Sequence, residues 1–277
     1  MTAKNPDYIS TASQIARRAG ALLMEYFARG VKTEYKGEGT VDVVTDADRA
    51  SEKLIVEALR AAFPDCGIVG EEGERTQVSS ENVWYVDPLD GTTNFAHGSP
   101  VFSVSLGLAR RGEMVAGVVF DPTRNELFAA ERGKGATVND QPIHVSKIRT
   151  LGESLLATGF PSKKRHLNPN IHFYHQLTLK SHGLRRAGSA ALDLAGVASG
   201  RYDGYWEFNL NAWDTSAGAL LVEEAGGKIT YMDGSKFDVA ESREVLATNG
   251  LIHQELLNEM HAISQGRVEP LPNFARQ

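Results

Sequence analysis

A single cysteine, Cys66, stands among 277 residues, so the chain can build neither an intramolecular disulfide framework nor a Cys-based zinc site. No apolar run approaches the ~20 residues that a membrane helix requires. The opening MTAKNPDYIS lacks the apolar core of a secretory leader. Together these gaps lead to the expectation of a cytoplasmic protein with no membrane contact. A P-loop, a nucleophilic-serine elbow and a dinucleotide fingerprint are also missing. Positive charge is scarce: 29 Lys and Arg against 35 Asp and Glu leave a net charge of −6. Bulk electrostatics therefore repel nucleic acid, and no direct DNA binding is expected. An acidic substrate must be met by a local device.

What remains is an ordinary globular composition, 42% hydrophobic and 23% charged, with ample length for a buried core. Ile9, Ala12, Ile15, Ala16, Ala19, Leu22, Leu23 and Tyr26 keep helical spacing, predicting a helix from Tyr8 to about Phe27 that stops at Gly30. Thr33 to Val41 reads as a hairpin or loop, and a second helix is predicted over Ala47 to Ala62. Strands are predicted at Gly67–Val69 and Val83–Val86. Phe102–Arg110, Met114–Asp121 and Glu126–Glu131, joined by short turns, predict an antiparallel meander. From Leu155 onward strands and helices alternate, with helices expected from Asn168, Ser189, Thr215 and Ile252. The pattern is that of a layered α/β or α+β architecture.

Four segments place acids where strands end or helices begin: Thr45-Asp46-Ala47-Asp48, Gly70-Glu71-Glu72, Asp87 to Phe95, and Trp213-Asp214. Each has a plain structural explanation. Thr45 and Asp48 have capping-box spacing, Asp214 could be an N-cap, Asp90 a turn residue, and Glu71 a solvent-facing acid. The segment Asp87-Pro-Leu-Asp90-Gly-Thr-Thr says more. It is read as a turn at the C-terminal end of a strand, the edge where open α/β sheets place ligands. Asp87, Asp90 and the Leu89 carbonyl are hard oxygen donors suited to Mg²⁺. Gly91 and Thr92 follow at an expected helix start, where a phosphate is favoured. If Glu71, Asp87, Asp90 and Asp214 share a cleft, each pair about 4 Å apart repels by roughly 4 kcal/mol. Bound cations would remove that repulsion and attract an anion despite the net charge.

Gly70-Glu71-Glu72, Asp87-Pro-Leu-Asp90-Gly-Thr-Thr-Asn-Phe95 and Trp213-Asp214, followed by Glu223-Glu224-Ala225-Gly226-Gly227, together resemble the inositol monophosphatases. The likeness runs from about Tyr8 to Ile263, and Arg186-Ala-Gly-Ser-Ala-Ala-Leu-Asp193 is similar to the bacterial SuhB-type branch. The resemblance implies a layered αβαβα sandwich, with halves 1–148 and 149–277 forming one compact unit. It implies Mg²⁺-dependent hydrolysis of a phosphate monoester, with two or three ions. The implied metal ligands are Glu71, Asp87, the Leu89 carbonyl, Asp90 and Asp214, while Thr92, Asp48 and Glu71 are the residues that activate the attacking water. The implied substrate contacts are Asp90, Gly91, Thr92, Gly188, Ser189, Ala190, Glu207 and Asp214, with Lys36 reaching in from a loop. Inositol monophosphate is the expected substrate. Fructose bisphosphate, phosphoadenosine phosphate and NADP are the alternatives within the same chemistry. A homodimer, lithium sensitivity and a contact with RNA polymerase or its Nus factors are further implications. His172 and His175 have helical metal-pair spacing but no third ligand, and the cluster Lys163-Lys164-Arg165-His166 reads as a solvated loop.

Overall fold

The computed structural model describes residues 7–30, 33–35, 43–161, 168–241 and 243–270. Helix α1 (Tyr8–Arg29) is capped by Asp7, whose carboxylate accepts from the Ser10 amide, and it ends on Gly30 at φ 78°. Strands β1 (Thr33–Tyr35) and β2 (Val43–Thr45) pair antiparallel. Helix α2 (Asp46–Ala62) opens on a capping box, with Thr45 and Asp48 bonded reciprocally. Both helices bury one face and expose the other, as their 3.6-residue apolar spacing demands.

A sheet of eight strands follows: β3 (Gly67–Gly70), β4 (Arg75–Thr76), β5 (Asn82–Asp90), β6 (Ser103–Arg110), β7 (Glu113–Asp121), β8 (Glu126–Glu131), β9 (Ala136–Val138) and β10 (Gln141–Ile143). The short helix α3 (Thr92–Ala96) lies between β5 and β6. The predicted meander is present, β6–β7–β8 pairing antiparallel throughout. Arg111 and Gly112, both at positive φ, make the tight turn that hairpins of this twist favour. The second sheet holds β11 (Leu155–Thr158), β12 (Gly183–Arg185), β13 (Gly204–Phe208), β14 (Lys228–Thr230) and β15 (Glu244–Thr248) in the order β12-β11-β13-β15-β14. The remaining helices are α4 (Asn170–Lys180), α5 (Ala190–Ala198), α6 (Ala212–Glu224) and α7 (His253–Ser264).

These elements stack as five layers. Helices α1 and α2 cover one face of the large sheet, with Leu23, Ile55 and Leu59 packed on Trp84, Leu106 and Val118. Helices α5 and α6 lie between the two sheets. Helices α4 and α7 close the far face of the second sheet through Phe173, Leu177, Leu256 and Met260. Helix α6 is buried continuously from Thr215 to Val222, so it shows no single apolar stripe. It settles closely onto the sheet because Gly107 and Gly117, paired across β6 and β7, leave room. A Cβ at Gly107 would overlap Ser216, and one at Gly117 would lie 2.9 Å from the Ala217 carbonyl. Side-chain-free backbone at this crossing lets α6 hold its first turn over the end of β5.

His253, 1% exposed, starts α7 between two threonines. The Thr230 hydroxyl donates to the Tyr231 carbonyl and faces His253 Nε2 at 3.1 Å, while Thr248 Oγ1 faces Nδ1 at 2.9 Å. A neutral ring protonated on Nε2 satisfies all of these contacts. Burial, with a smaller push from the Lys228 charge, lowers the imidazole from 6.5 to about 4. The unfolded chain then binds more protons than the native one, so stability falls as pH drops through 6.5 and levels off below about 4. After allowance for solvent screening, the loss is about 2 kcal/mol. Unfolding titrations of wild type and His253→Asn should therefore differ by that much less at pH 4.5 than at pH 7. A gap independent of pH would remove this account.

Candidate active site

Strand β5 does not stop at Val86, as the sequence reading expected, but continues through Asp87-Pro88-Leu89 to Asp90. Asp87 pairs with Ser105 and Asp90 with Ser103 of β6, so three steps on one strand oppose two on the other. This is a β-bulge, and it accommodates Pro88, which has no ladder N–H to give. Residues three apart in a regular strand face opposite sides. The bulge instead turns both carboxylates to one side, and the buried Ser51 hydroxyl fixes it by donating to the Pro88 carbonyl at 2.9 Å.

Glu71 follows β3, which runs parallel to β5 with Gly70 opposite Val86. Its amide donates to the Val86 carbonyl at 3.1 Å, and its carboxyl lies within hydrogen-bonding reach of Asp87. Asp214 arrives from the first turn of α6. That helix begins at Ala212, three residues before the predicted start, because Asn211 caps it and Asp214 completes the capping box. The Asn211 amide donates to Asp214 Oδ2 at 2.6 Å. The pattern Asn-x-x-Asp at 211–214 is the local signal that marks this start.

Glu71, Asp87, Asp90, Asp214 and Glu207 line one cavity of about 730 Å³. Burial raises Asp87 well above the usual carboxylate range, and the charges of Glu71, Asp90 and Asp214 raise it further. Burial raises Asp90 too, against the hydrogen bonds it accepts. Asp214 keeps a face on the cavity, yet dense protein around it pushes it up to about 7. Desolvation likewise pushes Glu207 up to about 8. An acid cluster whose charged forms are this disfavoured, offering carboxylate oxygens with Arg186 at the cavity wall, has the chemistry of a hard divalent-cation site.

The arrangement is looser than a closed ligand cage. No group of three or more His, Cys, Asp or Glu side chains among the described residues is arranged to hold one ion. Mg²⁺ commonly takes one or two carboxylates and keeps several waters, and pairwise sharing of these acids fits that habit. Asp90 is turned toward the start of α5, where the Ser189 hydroxyl and the Ala190 and Ala191 amides, the last at 2.8 Å, donate to it. Gly188, Ser189 and Ala190 are the substrate contacts expected from the sequence; here the Ser189 hydroxyl and the Ala190 amide orient Asp90, while Gly188 and Ala190 line the cavity.

Thr92 begins α3 after Gly91, whose φ of 97° is one that side-chain-bearing residues rarely adopt. The Thr92 hydroxyl stands 3.0 Å from Asp48 Oδ1 and 3.1 Å from the Leu89 carbonyl, and can donate to either. Asp48 is fully buried, and desolvation pushes it up to about 6 even though Thr45 donates to it. It thus caps α2 and meets Thr92 at once. Glu207 is a cavity acid at 9% exposure rather than a surface one. Lys36 and the 163–166 cluster lie outside the described residues. His172 and His175 sit on α4 with no third acid or histidine arranged around them among the described residues. The sequence reading passed over Tyr205 and Gly159, both adjoining Glu207. The i, i+2 spacing of Tyr205 and Glu207 along a strand was the available signal for the first.

The sequence profile of the inositol monophosphatase family matches residues 5–265. The chain belongs to the inositol monophosphatase family. It is 44% identical over 260 residues to an inositol-1-monophosphatase of Synechocystis sp., covering 93% of this chain and 90% of that protein. It is 42% identical over 255 residues to the Nus factor SuhB of Pseudomonas aeruginosa, covering 90% and 94%. The solved inositol monophosphatase of Anabaena superposes with a TM-score of 0.83 at 42% identity, covering 95% of this chain and 97% of that one. This inositol monophosphatase family member is a phosphatase with the layered α/β fold of its relatives. The family is generally metal-dependent. No helix among the described residues is long and apolar enough to cross a membrane.

Proposed function

We propose that the protein is a Mg²⁺-dependent phosphatase that hydrolyses inositol monophosphate to myo-inositol and phosphate by in-line attack of water. The observation that carries this reading is the convergence of Glu71, Asp87, Asp90 and Asp214, from three separate segments, on one cavity beside Thr92 and Asp48. Glu71, Asp87 and the Leu89 carbonyl would hold one ion; Asp87, Asp90 and Asp214, which are not gathered around one point as they stand, would draw together to share a second, and a third is left open. When bound, Mg²⁺ supplies an acidified water and positive charge for the phosphate.

The chain's own residues supply position and proton handling. Thr92, donating to Asp48 or Leu89, keeps a lone pair free to accept from the attacking water. Asp48 receives the proton through the Thr92 hydroxyl, and Glu71 is a second acceptor at the same edge. Gly91, Thr92 and Glu207 line the cavity; the first two would offer amides to the phosphate and Glu207 would accept from hydroxyls of the polyol. Relative rates on a panel of esters test the substrate. Myo-inositol 1-phosphate is expected to exceed fructose 1,6-bisphosphate, phosphoadenosine phosphate and NADP in kcat/KM by about tenfold or more, the scale of one or two lost hydrogen bonds. A preference for either nucleotide would overturn the choice of inositol phosphate while leaving the phosphatase chemistry standing.

The name of the Pseudomonas relative favours a second reading, in which the protein also binds the transcription machinery. Protein contacts are the chemistry to expect for that role, since a net charge of −6 opposes charge-driven RNA binding. A homodimer and inhibition by Li⁺ are further proposals from the family resemblance, to be checked by sedimentation and by Li⁺ titration of the phosphatase.

A further inference from the structure

At Glu207 the cavity presents an acid whose orientation is imposed from behind. Glu207 and Tyr205 are two residues apart on β13, so their side chains leave the same face of the strand. The Tyr205 ring is fully buried, and its hydroxyl donates to Glu207 Oε2 at 2.6 Å. That oxygen is also wedged against the backbone of residue 159, because a Cβ there would overlap both carboxylate oxygens. Gly159 shows no positive φ, so the absence of a side chain serves space rather than backbone conformation. The residue is pinned in turn, since the Asn170 side-chain amide donates to its carbonyl at 2.6 Å and Asn170 Oδ1 accepts from Trp206 Nε1 at 2.6 Å. Asp193 lies nearby, buried with neither oxygen partnered among the described residues, and burial, with the Glu207 charge, raises its carboxyl well above the usual range. The hydroxyl of Tyr205 has one proton to give, and it goes to Glu207.

We propose that Tyr205 is a positioning residue for substrate selection: with the space left by Gly159, it holds the Glu207 carboxyl so that its other oxygen meets the hydroxyls of a phosphorylated polyol. The inference rests on the phosphatase reading above and adds to it the element that separates polyol esters from esters without hydroxyls. Tyr205 does not touch the substrate; its effect passes entirely through Glu207. This constrains the outcome of paired substitutions, because removing the phenol oxygen matters only while Glu207 is there to be held.

The test compares myo-inositol 1-phosphate with p-nitrophenyl phosphate, whose leaving group carries no hydroxyl, for wild type, Tyr205→Phe, Gly159→Ala, Glu207→Gln and Tyr205→Phe/Glu207→Gln. In Tyr205→Phe the ratio of kcat/KM for the inositol ester over the nitrophenyl ester is expected to fall about tenfold, the loss residing in KM. Gly159→Ala, which displaces the same carboxyl without touching the tyrosine, is expected to fall to the same degree. Adding Tyr205→Phe to Glu207→Gln is expected to change that ratio by less than about twofold. Equal slowing of both esters in Tyr205→Phe and in Gly159→Ala would assign these residues to packing and overturn the inference. So would additive losses in the double variant. A poorly folded Tyr205→Phe, seen by thermal melting, leaves the decision to Gly159→Ala, whose ratio supports or overturns the inference alone. Wild-type protein that turned over only the nitrophenyl ester would instead defeat the inositol phosphate assignment, a result distinguishable from either.

Discussion

Asp87→Asn is expected to lower kcat/KM for phosphate ester hydrolysis on the order of 10³-fold, because it removes a carboxylate shared by both proposed ions and several kcal/mol of transition-state charge stabilisation. The same change is expected to raise the melting temperature of the metal-free protein by about 5 °C. Asp87 is 2% exposed and feels the charges of Glu71, Asp90 and Asp214, so its own charge is strongly disfavoured. An asparagine keeps the shape and the oxygen that accepts from the Leu89 amide at 3.0 Å, and drops the charge. The pH dependence has a definite sign. Asp48, Asp214 and Glu207 are pushed up to about 6, 7 and 8 from 3.8, 3.8 and 4.5, so the fold prefers their neutral forms. Their contribution is complete below the unfolded values and is lost as pH climbs from about 4 toward about 8. The three acids together outweigh the opposite gain from His253, so metal-free wild type should lose melting temperature over that interval, and saturating Mg²⁺ should restore it by binding only the folded state. Parallel melting curves with and without Mg²⁺, at pH 5 and pH 8, check both statements. Parent-like turnover in Asp87→Asn, or a metal-free melt that rises with pH across the interval, would contradict the site. The variant also separates the two functional readings: if it is catalytically dead yet still captures RNA polymerase components, binding does not depend on hydrolysis.

How much of this was legible beforehand depended on whether the determining interactions were local. The helices α1 and α2 were read to within two residues because their stripes and caps, Asp7, Gly30 and the Thr45–Asp48 box, lie within a few positions of each other. The start of α6 was misplaced because burial on all sides erases the stripe that periodicity relies on. Strand β5 was cut short at Val86 because Asp-Pro and Asp-Gly are turn signals in isolation. Only pairing with Ser103 and Ser105, and an anchor from Ser51, makes the segment a bulged strand. The combination of motifs singles out acids that line one cavity. What no motif could reveal was the company each keeps: Asp90 takes its hydrogen bonds from residues about a hundred positions away on α5, and Glu207 is oriented across Gly159, 48 positions upstream.

The second large effect is expected at the Thr92–Asp48 pair, where a structural role and a chemical one overlap and can be pulled apart. Asp48 accepts from the Thr45 amide at 2.8 Å and so begins α2, while its other oxygen faces the Thr92 hydroxyl at 3.0 Å. Asp48→Asn retains an oxygen for the Thr45 amide, so the helix start should weaken by no more than about 1 kcal/mol. It cannot retain a basic carboxylate, and loss of proton acceptance is expected to cost 10²- to 10³-fold in kcat, on the order of general-base contributions. Thr92→Val removes the hydroxyl between Asp48 and the water at nearly constant volume and is expected to fall as far. Thr92→Ser, which returns the hydroxyl, should recover most of the activity. Because the two residues act in series, the double variant Asp48→Asn/Thr92→Val is expected to be little slower than either single variant. Steady-state kinetics with saturating Mg²⁺, alongside urea unfolding, decide the matter. Multiplicative losses in the double variant would show that Asp48 and Thr92 act independently. Activity losses that merely track unfolding would reduce Asp48 to a helix cap, leaving Glu71 as the acid at this edge able to accept the proton.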